Sequence, residues 1–250
     1  MAALYALLGL LVGAVLNLAA DRLPQRDSIL SLAQCPYCEG EWALVDNVSL
    51  LALLLRRGRC PHCGAPHPWR RPILELVTVL TFAFFWLRYG PSVQLVLITL
   101  YTCVLFLVFV IDLEHRLILR VVIFPAIGIA ILGSLVYPGL GVRRALLGGA
   151  FSFFLFFAIV VFGRLAFGRT AMGGGDANLA AFIGLITGFP EVILALLITV
   201  LLGGLVSVIL VLGRVKKLKS YIPYGVFLAA GGLAVLVFGQ AILAWYFCSY

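Results

Sequence analysis

The sequence predicts an all-α polytopic membrane protein with about eight transmembrane helices. Hydrophobic residues make up 64% of the 250 residues, charged residues only 11%, and the mean hydropathy is +1.16. A water-soluble domain has no interior large enough to bury that much apolar surface. Each span should be helical, because lipid offers the backbone no hydrogen-bond partners.

The apolar segments give the expected order of the spans. They lie at about 3–20, 73–88, 92–111, 117–137, 143–164, 177–189, 190–213 and 222–248. The sixth segment is short for a bilayer crossing, so we expect it to tilt or to be partly buried in the bundle. No Lys or Arg precedes Arg22, which favours an uncleaved first span over a secretion signal.

The distribution of basic residues predicts the orientation. If the loop at 21–72 faces the cytoplasm, the inner segments carry fifteen Lys and Arg, and the outer segments carry three, Arg88, Arg143 and Arg144. This asymmetry follows the positive-inside rule and places the N-terminus outside. The net charge of +8 then reflects an inner rim that meets anionic lipid headgroups, with no need for a nucleic-acid partner.

Four cysteines in the 21–72 loop form the pattern C-x2-C-x21-C-x2-C: Cys35, Cys38, Cys60 and Cys63. Two such pairs predict a tetrahedral zinc site, and four sulfur ligands leave zinc no open position for chemistry. The alternative is two disulfides in an extracytoplasmic loop, which the predicted cytoplasmic location disfavours. His62 and His67 lie beside the second pair, but with four cysteines available neither is expected to be a ligand.

The chain therefore divides into three predicted parts: a first transmembrane helix at 1–20, a small zinc-stapled cytoplasmic insert at 21–72, and a seven-helix membrane core at 73–250. The insert is too small for a large core, so bound zinc would supply the missing stability. Within it, residues 49–55 are apolar but too few to span. We expect a short helix or turn packed on the membrane surface. Two polar residues near span ends, Asn17 and Glu75, would line a substrate path or hydrogen-bond between helices.

Two aspartates carry the candidate chemistry. Asp112 follows an apolar run at the inner end of the third span, and Asp176 stands just before the sixth. Two carboxylates brought together can share one proton, so that one activates water as general base and the other acts as general acid on a peptide bond. The alternatives are structural: Asp112 would pair with Arg116 four residues on, and Asp176 would be an N-cap.

The glycines before Asp176 support the catalytic interpretation. Gly173 and Gly175, with Gly174 between them, permit positive φ and leave room for another backbone to approach closely. A protease needs such room to hold an extended peptide against its catalytic acid. Taken alone, a Gly-x-Gly-Asp pattern is a weak signal.

Over nearly its full length the chain closely resembles the bacterial prepilin peptidases, or type IV leader peptidases. The matching stretches are 9–17 with 22–24, the four cysteines, 57–60, 71–76, 111–115, 173–176 and 222–231. The resemblance implies an aspartic endopeptidase of the inner membrane with Asp112 and Asp176 as its dyad. Its substrates would be type IV prepilins and type II secretion pseudopilins, cut after a basic leader. It also implies N-methylation of the new N-terminal residue with S-adenosylmethionine.

Methyl transfer has further candidate residues in the insert, namely Arg57, Gly58 and Arg59. The arginines would orient the carboxylate of S-adenosylmethionine, and Gly58 would permit a turn. The alternative is that these residues only complete the zinc knuckle and the basic rim.

The chain departs from the usual family pattern at Leu119 and Ser49, where Pro is common, and at Arg71, where an aromatic is common. From other functional classes, a non-catalytic zinc-stapled membrane scaffold and a proton-coupled transporter remain as alternatives. A transporter would need a continuous polar path, and the outer halves of the spans show few ionisable groups.

Overall fold

The computed structural model describes residues 1–27, 35, 37–38, 40, 47–56, 58–60, 62–66, 68–137, 139–167, 173–213 and 223–248. Within these ranges the chain forms nine α-helices and a short 3₁₀ turn, Leu23–Gln25. The helices are α1 Ala2–Arg22, α2 Ser49–Arg56, α3 Arg70–Tyr89, α4 Val93–His115, α5 Arg120–Val136, α6 Val142–Phe167, α7 Gly174–Thr187, α8 Glu191–Leu212 and α9 Tyr224–Cys248.

The all-α membrane architecture is confirmed. Six segments of the described chain are long and apolar enough to cross a bilayer, including 2–25, which joins α1 to the 3₁₀ turn. The other predicted spans correspond to α5, with 17 residues, and α7, with 14 residues. A helix of 14 residues is about 21 Å long at ~1.5 Å per residue, and most of α7 is buried. The sixth span is therefore short and enclosed by protein, as expected, and the count of eight is approximate.

The chain folds as two compact units, residues 1–99 and 100–250. In the first unit, α1 packs closely on α3 because α1 carries glycine at the contact. A Cβ on Gly9 would lie 2.9 Å from Cβ of Phe82, and a Cβ on Gly13 would meet the hydroxyl of Thr78. Small residues let two helix backbones approach where lipid provides no hydrophobic driving force between them.

The second unit is built around α7. Gly149 of α6 faces Leu185, where a Cβ would lie 2.7 Å from Cγ, and Ser152 donates a 2.8 Å hydrogen bond to the carbonyl of Ala180. On the other side, a Cβ on Gly232 of α9 would lie 2.9 Å from Cγ1 of Ile183. The first turn of α7, which carries Asp176, therefore belongs to a helix fixed by close neighbours.

The short helix expected at 49–55 is present as α2. The predicted division into 1–20, 21–72 and 73–250 assigns a different function to each part of the chain, and it stays a prediction.

Candidate functional site

Asp112 lies in the last turn of α4, and its side chain is directed at the start of α9. Only 4% of the residue is exposed. Its Oδ2 accepts a 3.0 Å hydrogen bond from the backbone N–H of Val226, and the N–H of Gly225 also donates to this carboxylate. Gly225 and Val226 are the second and third residues of α9, whose first N–H groups have no partner within the helix. Asp112 thus caps a helix that begins more than a hundred residues later.

Gly225 is required at this contact because there is no room for a side chain. A Cβ there would lie 2.8 Å from Oδ2 of Asp112 and 3.2 Å from Cδ1 of Ile118. Arg116 also acts on the Asp112 carboxylate electrostatically, as the structural alternative expected. The hydrogen bond to α9 is a contact that this alternative did not foresee.

Asp176 is the third residue of α7 and is 5% exposed. The N-cap of α7 is Gly173, so the interpretation of Asp176 as an N-cap is wrong. The Gly173 N–H donates to its carboxylate, and the Asp112 carboxylate lies close enough to act on it electrostatically. The structure therefore brings the two aspartates together within the second unit.

The glycines before Asp176 act through close packing. Gly173 has φ −74°, and Gly174 and Gly175 belong to α7, so none of the three uses the positive φ that glycine permits. The expected close approach occurs at Gly175, where a Cβ would lie 2.8 Å from Cβ of Ile118. Ile118, in the link after α4, is thus wedged between two glycines. Gly175 directly precedes Asp176, and Gly225 donates its N–H to Asp112.

Sequence reasoning assigned no role to Ile118, Gly225 or Val226. The available signal was the Pro223-Tyr224-Gly225 sequence ahead of the last apolar span, which marks a helix start. Tyr224 also lies near enough to Asp176 for an electrostatic interaction. Two buried carboxylates, one that accepts two backbone N–H bonds and one that accepts a single bond, can divide base and acid roles between them.

The four predicted cysteine ligands converge. Cys35 and Cys63 have their sulfurs 3.8 Å apart, Cys38 and Cys60 have theirs 3.9 Å apart, and all four sulfurs lie within 4.8 Å of one another. Four sulfurs at ~2.3 Å from a tetrahedral zinc ion would be about 3.8 Å apart. All four are free thiols, so the disulfide interpretation is wrong. The cluster can bind a metal ion.

Backbone turns place these sulfurs. The N–H of Cys35 bonds to the carbonyl of Gly40 at 3.0 Å, and the N–H of Cys60 bonds to that of Ala65 at 2.9 Å. Gly64, with φ +73°, completes the second turn. The metal cluster contains no histidine among the described residues. His62 is not part of this group, and His67 lies outside the described part of the chain.

The four cysteines cannot all be ionised while no cation is bound. Desolvation raises the pKa of Cys60, but the N–H groups of Cys63 and His62 donate to its sulfur, and the net effect lowers the pKa to about 6. The Gly40 N–H lowers the pKa of Cys38, but desolvation and the three neighbouring sulfurs raise it to about 12. Without a metal ion, the crowding of the sulfurs keeps some of the four cysteines protonated. A metal ion that binds all four as thiolates would release those protons.

Gly58 of the candidate methyl-transfer trio has a clear conformational role. It has φ +65°, and its N–H bonds to the carbonyl of Ala52 at 3.2 Å. A left-handed glycine just after the last residue of a helix is a common way for a helix to end. Arg59 then forms an isolated antiparallel β-bridge with Pro66. The two residues flank the turn that carries Cys60 and Cys63, the second knuckle. Arg57 lies outside the described residues.

Glu75 joins three helices of the first unit. Its fully buried carboxylate accepts hydrogen bonds from the N–H groups of Ser49 and Leu50, both at 2.8 Å. Asn17 of α1 donates to Glu75 at 3.3 Å and to the carbonyl of Arg71 at 3.0 Å. Of the two expected roles for Asn17 and Glu75, hydrogen bonding between helices is the one observed.

The departures from the family pattern are locally accommodated. Leu119 has φ −77° and ψ 122°, a conformation that proline also adopts. Ser49 is the first residue of α2, a position that suits proline, and here its N–H adds one of the bonds to Glu75. Arg71 forms an ion pair with Asp21 at the end of α1.

Comparisons with known proteins identify two matching family regions and several relatives. Residues 7–89 match the Bacterial Peptidase A24 N-terminal domain, and residues 99–208 match the Type IV leader peptidase family. A prepilin leader peptidase/N-methyltransferase of Bacillus subtilis (strain 168) is 30% identical, over 95% of this chain and 94% of the relative. Proteins of the same name from Pseudomonas aeruginosa and Myxococcus xanthus are 27% and 33% identical, over 96% and 82% of this chain and 91% and 62% of theirs.

No solved structure is significantly similar to the chain. The relatedness therefore rests on sequence, over nearly the full length of both proteins. The two matched regions follow each other along the chain: one ends at residue 89 and the other begins at residue 99, so a single chain carries both parts. This protein belongs to the type IV leader peptidase family.

Proposed function

We propose that this protein is an aspartic endopeptidase of the inner membrane that removes the basic leader from type IV prepilins and type II secretion pseudopilins. It then methylates the newly exposed amine with S-adenosylmethionine. One observation carries the proposal: Asp112 and Asp176, from separate helices, meet at the start of α9. This occurs in a chain whose relatives are named prepilin leader peptidase/N-methyltransferase.

The hydrogen bonds suggest which aspartate takes which role. Asp112 accepts two backbone N–H bonds at a helix N-terminus, whereas Asp176 accepts one, from Gly173, and each N–H donor stabilises the charged form of a carboxylate. Asp112 is therefore assigned as the general base, and Asp176 as the general acid that holds the shared proton. The water transfers a proton to Asp112 while its oxygen attacks the scissile carbonyl carbon. Asp176 then protonates the leaving amine as the C–N bond breaks.

The close packing around the pair supports this role. Ile118 separates the first turns of α7 and α9, and glycine at both contacts lets the backbones approach it. Carboxylates held by packed backbone keep their relative position through the reaction, which is what catalysis by positioned groups requires. The hydrophobic segment of the substrate would lie in the membrane, with its basic leader attracted to the acidic pair.

Zinc is the metal that best suits the cysteine cluster, because four thiolates at tetrahedral spacing are its typical structural ligand set. Bound zinc would fix the fold of the insert and take no part in peptide cleavage. S-adenosylmethionine would supply the methyl group. The candidates for its binding stay Arg57, Gly58 and Arg59. The left-handed turn at Gly58 is by itself a structural explanation for glycine at that position.

The membrane orientation is part of the proposal. The excess of basic residues on one side supports an N-terminus outside and both the insert and the aspartate pair at the cytoplasmic face. In that position the aspartate pair would reach the prepilin leader at the cytoplasmic face while the hydrophobic segment of the substrate is still in the membrane. Family membership makes a scaffold or a transporter a poor description of this chain.

Mass spectrometry of a co-expressed prepilin tests both activities together. The expected product has lost its leader and gained one methyl group on the new N-terminal residue, while an empty-vector control leaves the precursor intact. A precursor of unchanged mass would contradict the peptidase proposal. Leader loss without the methyl increment would contradict only methyl transfer.

A further inference from the structure

Helix α2 presents leucines outward and small residues inward. Leu51, Leu54 and Leu55 are 38%, 79% and 71% exposed, whereas Ser49 and Ala52 on the opposite face are 2% and 1% exposed. This is the reverse of the pattern for a helix on a water-facing insert, where the apolar face packs inward. The exposed leucine face therefore needs a partner outside the described chain.

The position of α2 is fixed by a contact made at its N-terminus. The buried carboxylate of Glu75 accepts the N–H groups of Ser49 and Leu50, two of the four that a helix start leaves unpaired. Asn17 braces the same carboxylate from α1. Because Glu75 and Asn17 belong to α3 and α1, α2 is anchored to two helices that cross the membrane.

The location of Glu75 along α3 indicates how deep this anchor would lie. Helix α3 begins at Arg70, and Glu75 follows five residues later, which is about 7.5 Å along the axis at ~1.5 Å per residue. Helices that lie in the interface bury their apolar faces about 5–10 Å into the boundary between headgroups and acyl chains. With the start of α3 taken as the membrane surface, the two distances agree.

Neighbouring residues have the character of a membrane interface. Trp69, which precedes α3, is 72% exposed, and tryptophan is enriched at headgroup level. Ile73 and Leu76, in the first turns of α3, are 56% and 48% exposed, as expected where a span begins to meet lipid. Arg26 and Arg59 are exposed cations that suit anionic headgroups.

We propose that the face formed by Leu51, Leu54 and Leu55 inserts into the headgroup–acyl boundary of the membrane that holds α1 and α3, at a depth set by Glu75. Helix α2 is then an interfacial anchor that holds the cysteine cluster close to the membrane, on its aqueous side. Only a short connection, which includes Gly58 and Arg59, joins α2 to Cys60. The orientation of α2 therefore constrains the orientation of the turn that carries Cys60 and Cys63. This proposal does not depend on peptidase or methyltransferase activity.

The test places a tryptophan at the most exposed position. Purified protein carrying Leu54→Trp is reconstituted in vesicles of phosphatidylcholine and phosphatidylglycerol, and the parent spectrum is subtracted. The added fluorescence should be quenched by lipids brominated near the headgroup and protected from aqueous iodide. The control is Tyr37→Trp on the first knuckle, which is 67% exposed and should show the opposite pattern.

Equal iodide quenching of Leu54→Trp and Tyr37→Trp, with no effect of brominated lipid, would overturn the proposal. Protection from iodide that develops only when a prepilin is added would also overturn it, because the leucine face would then be a substrate surface.

The anchor itself is tested by adding Glu75→Ala to the Leu54→Trp protein. Loss of the buried acceptor should raise iodide quenching and lower quenching by brominated lipid. Ser49→Pro is the milder companion, because it removes one N–H donor and leaves that of Leu50; it should give a smaller change in the same direction, and it serves if Glu75→Ala does not fold. Unchanged quenching in both variants would refute the role of Glu75 in setting the depth.

Discussion

Gly175→Ala should damage peptide cleavage, whereas Gly174→Ala one residue earlier should not. A Cβ on Gly175 would lie 2.8 Å from Cβ of Ile118, but a Cβ on Gly174 meets nothing within 4 Å. Both glycines lie in the first turn of α7, and both substitutions add a single methyl group. The pair therefore isolates the effect of close packing beside Asp176.

The size of the effect follows from the distance. Carbon atoms in good contact are about 3.5–4.0 Å apart, so α7 or Ile118 must move by roughly 1 Å to admit the methyl group. Such overpacking costs about 1–3 kcal/mol, partly offset by the ~0.5–1 kcal/mol that alanine gains over glycine inside a helix. Because Asp176 is the next residue, a displacement of this size should lower kcat by about 10²-fold.

Initial rates of prepilin cleavage in detergent or nanodiscs measure this, together with thermal unfolding of each variant. Gly175→Ala should lose kcat with little change in KM and unfold at a slightly lower temperature, while Gly174→Ala should match the parent or be slightly more stable. A kcat for Gly175→Ala within twofold of that for Gly174→Ala would show that the close contact with Ile118 does not position the aspartate.

Three further outcomes follow from other contacts. Gly225→Ala should also lower kcat for prepilin cleavage, because its Cβ would lie 2.8 Å from Oδ2 of Asp112; a normal rate would argue against the α9 N–H groups as the support of the base. Cys60→Ser should lose the metal by elemental analysis of purified protein, whereas Cys103→Ser, on α4, should retain it; equal metal content would contradict the cysteine site. At Gly58, with φ +65°, Asn should preserve metal content better than Val, since Asn tolerates the left-handed conformation; identical metal content in the two variants would contradict the structural role of this turn.

Features written locally in the sequence were predictable. The spans follow from long apolar runs, and the cysteine cluster from two C-x2-C pairs, because both patterns depend on neighbours in sequence. The proximity of Asp112 and Asp176 depends on how helix ends converge. It was expected through resemblance to a family, since the residues alone left structural alternatives open.

Features that depend on packing were missed or misjudged. Nothing local shows that Glu75 caps a helix starting at Ser49, or that Asp112 caps α9, because each contact joins distant parts of the chain. The glycines before Asp176 were noted both for the positive φ they permit and for the room they leave, and only the second matters at Gly175, because Ile118 lies against it. A run of glycines indicates a backbone with conformational freedom. It does not show whether glycine is necessary for a positive φ or because a side chain would not fit.

The central claim is that Asp112 and Asp176 act as one catalytic pair, and its most direct test is prepilin cleavage by Asp112→Asn and Asp176→Asn. An amide neither accepts nor donates the required proton, so each variant should insert in the membrane and retain metal but leave the leader uncut. The matched control is Glu114→Gln, an exposed acid two residues from Asp112, which should cleave normally. Cleavage at a near-parental rate by either aspartate variant would contradict the account.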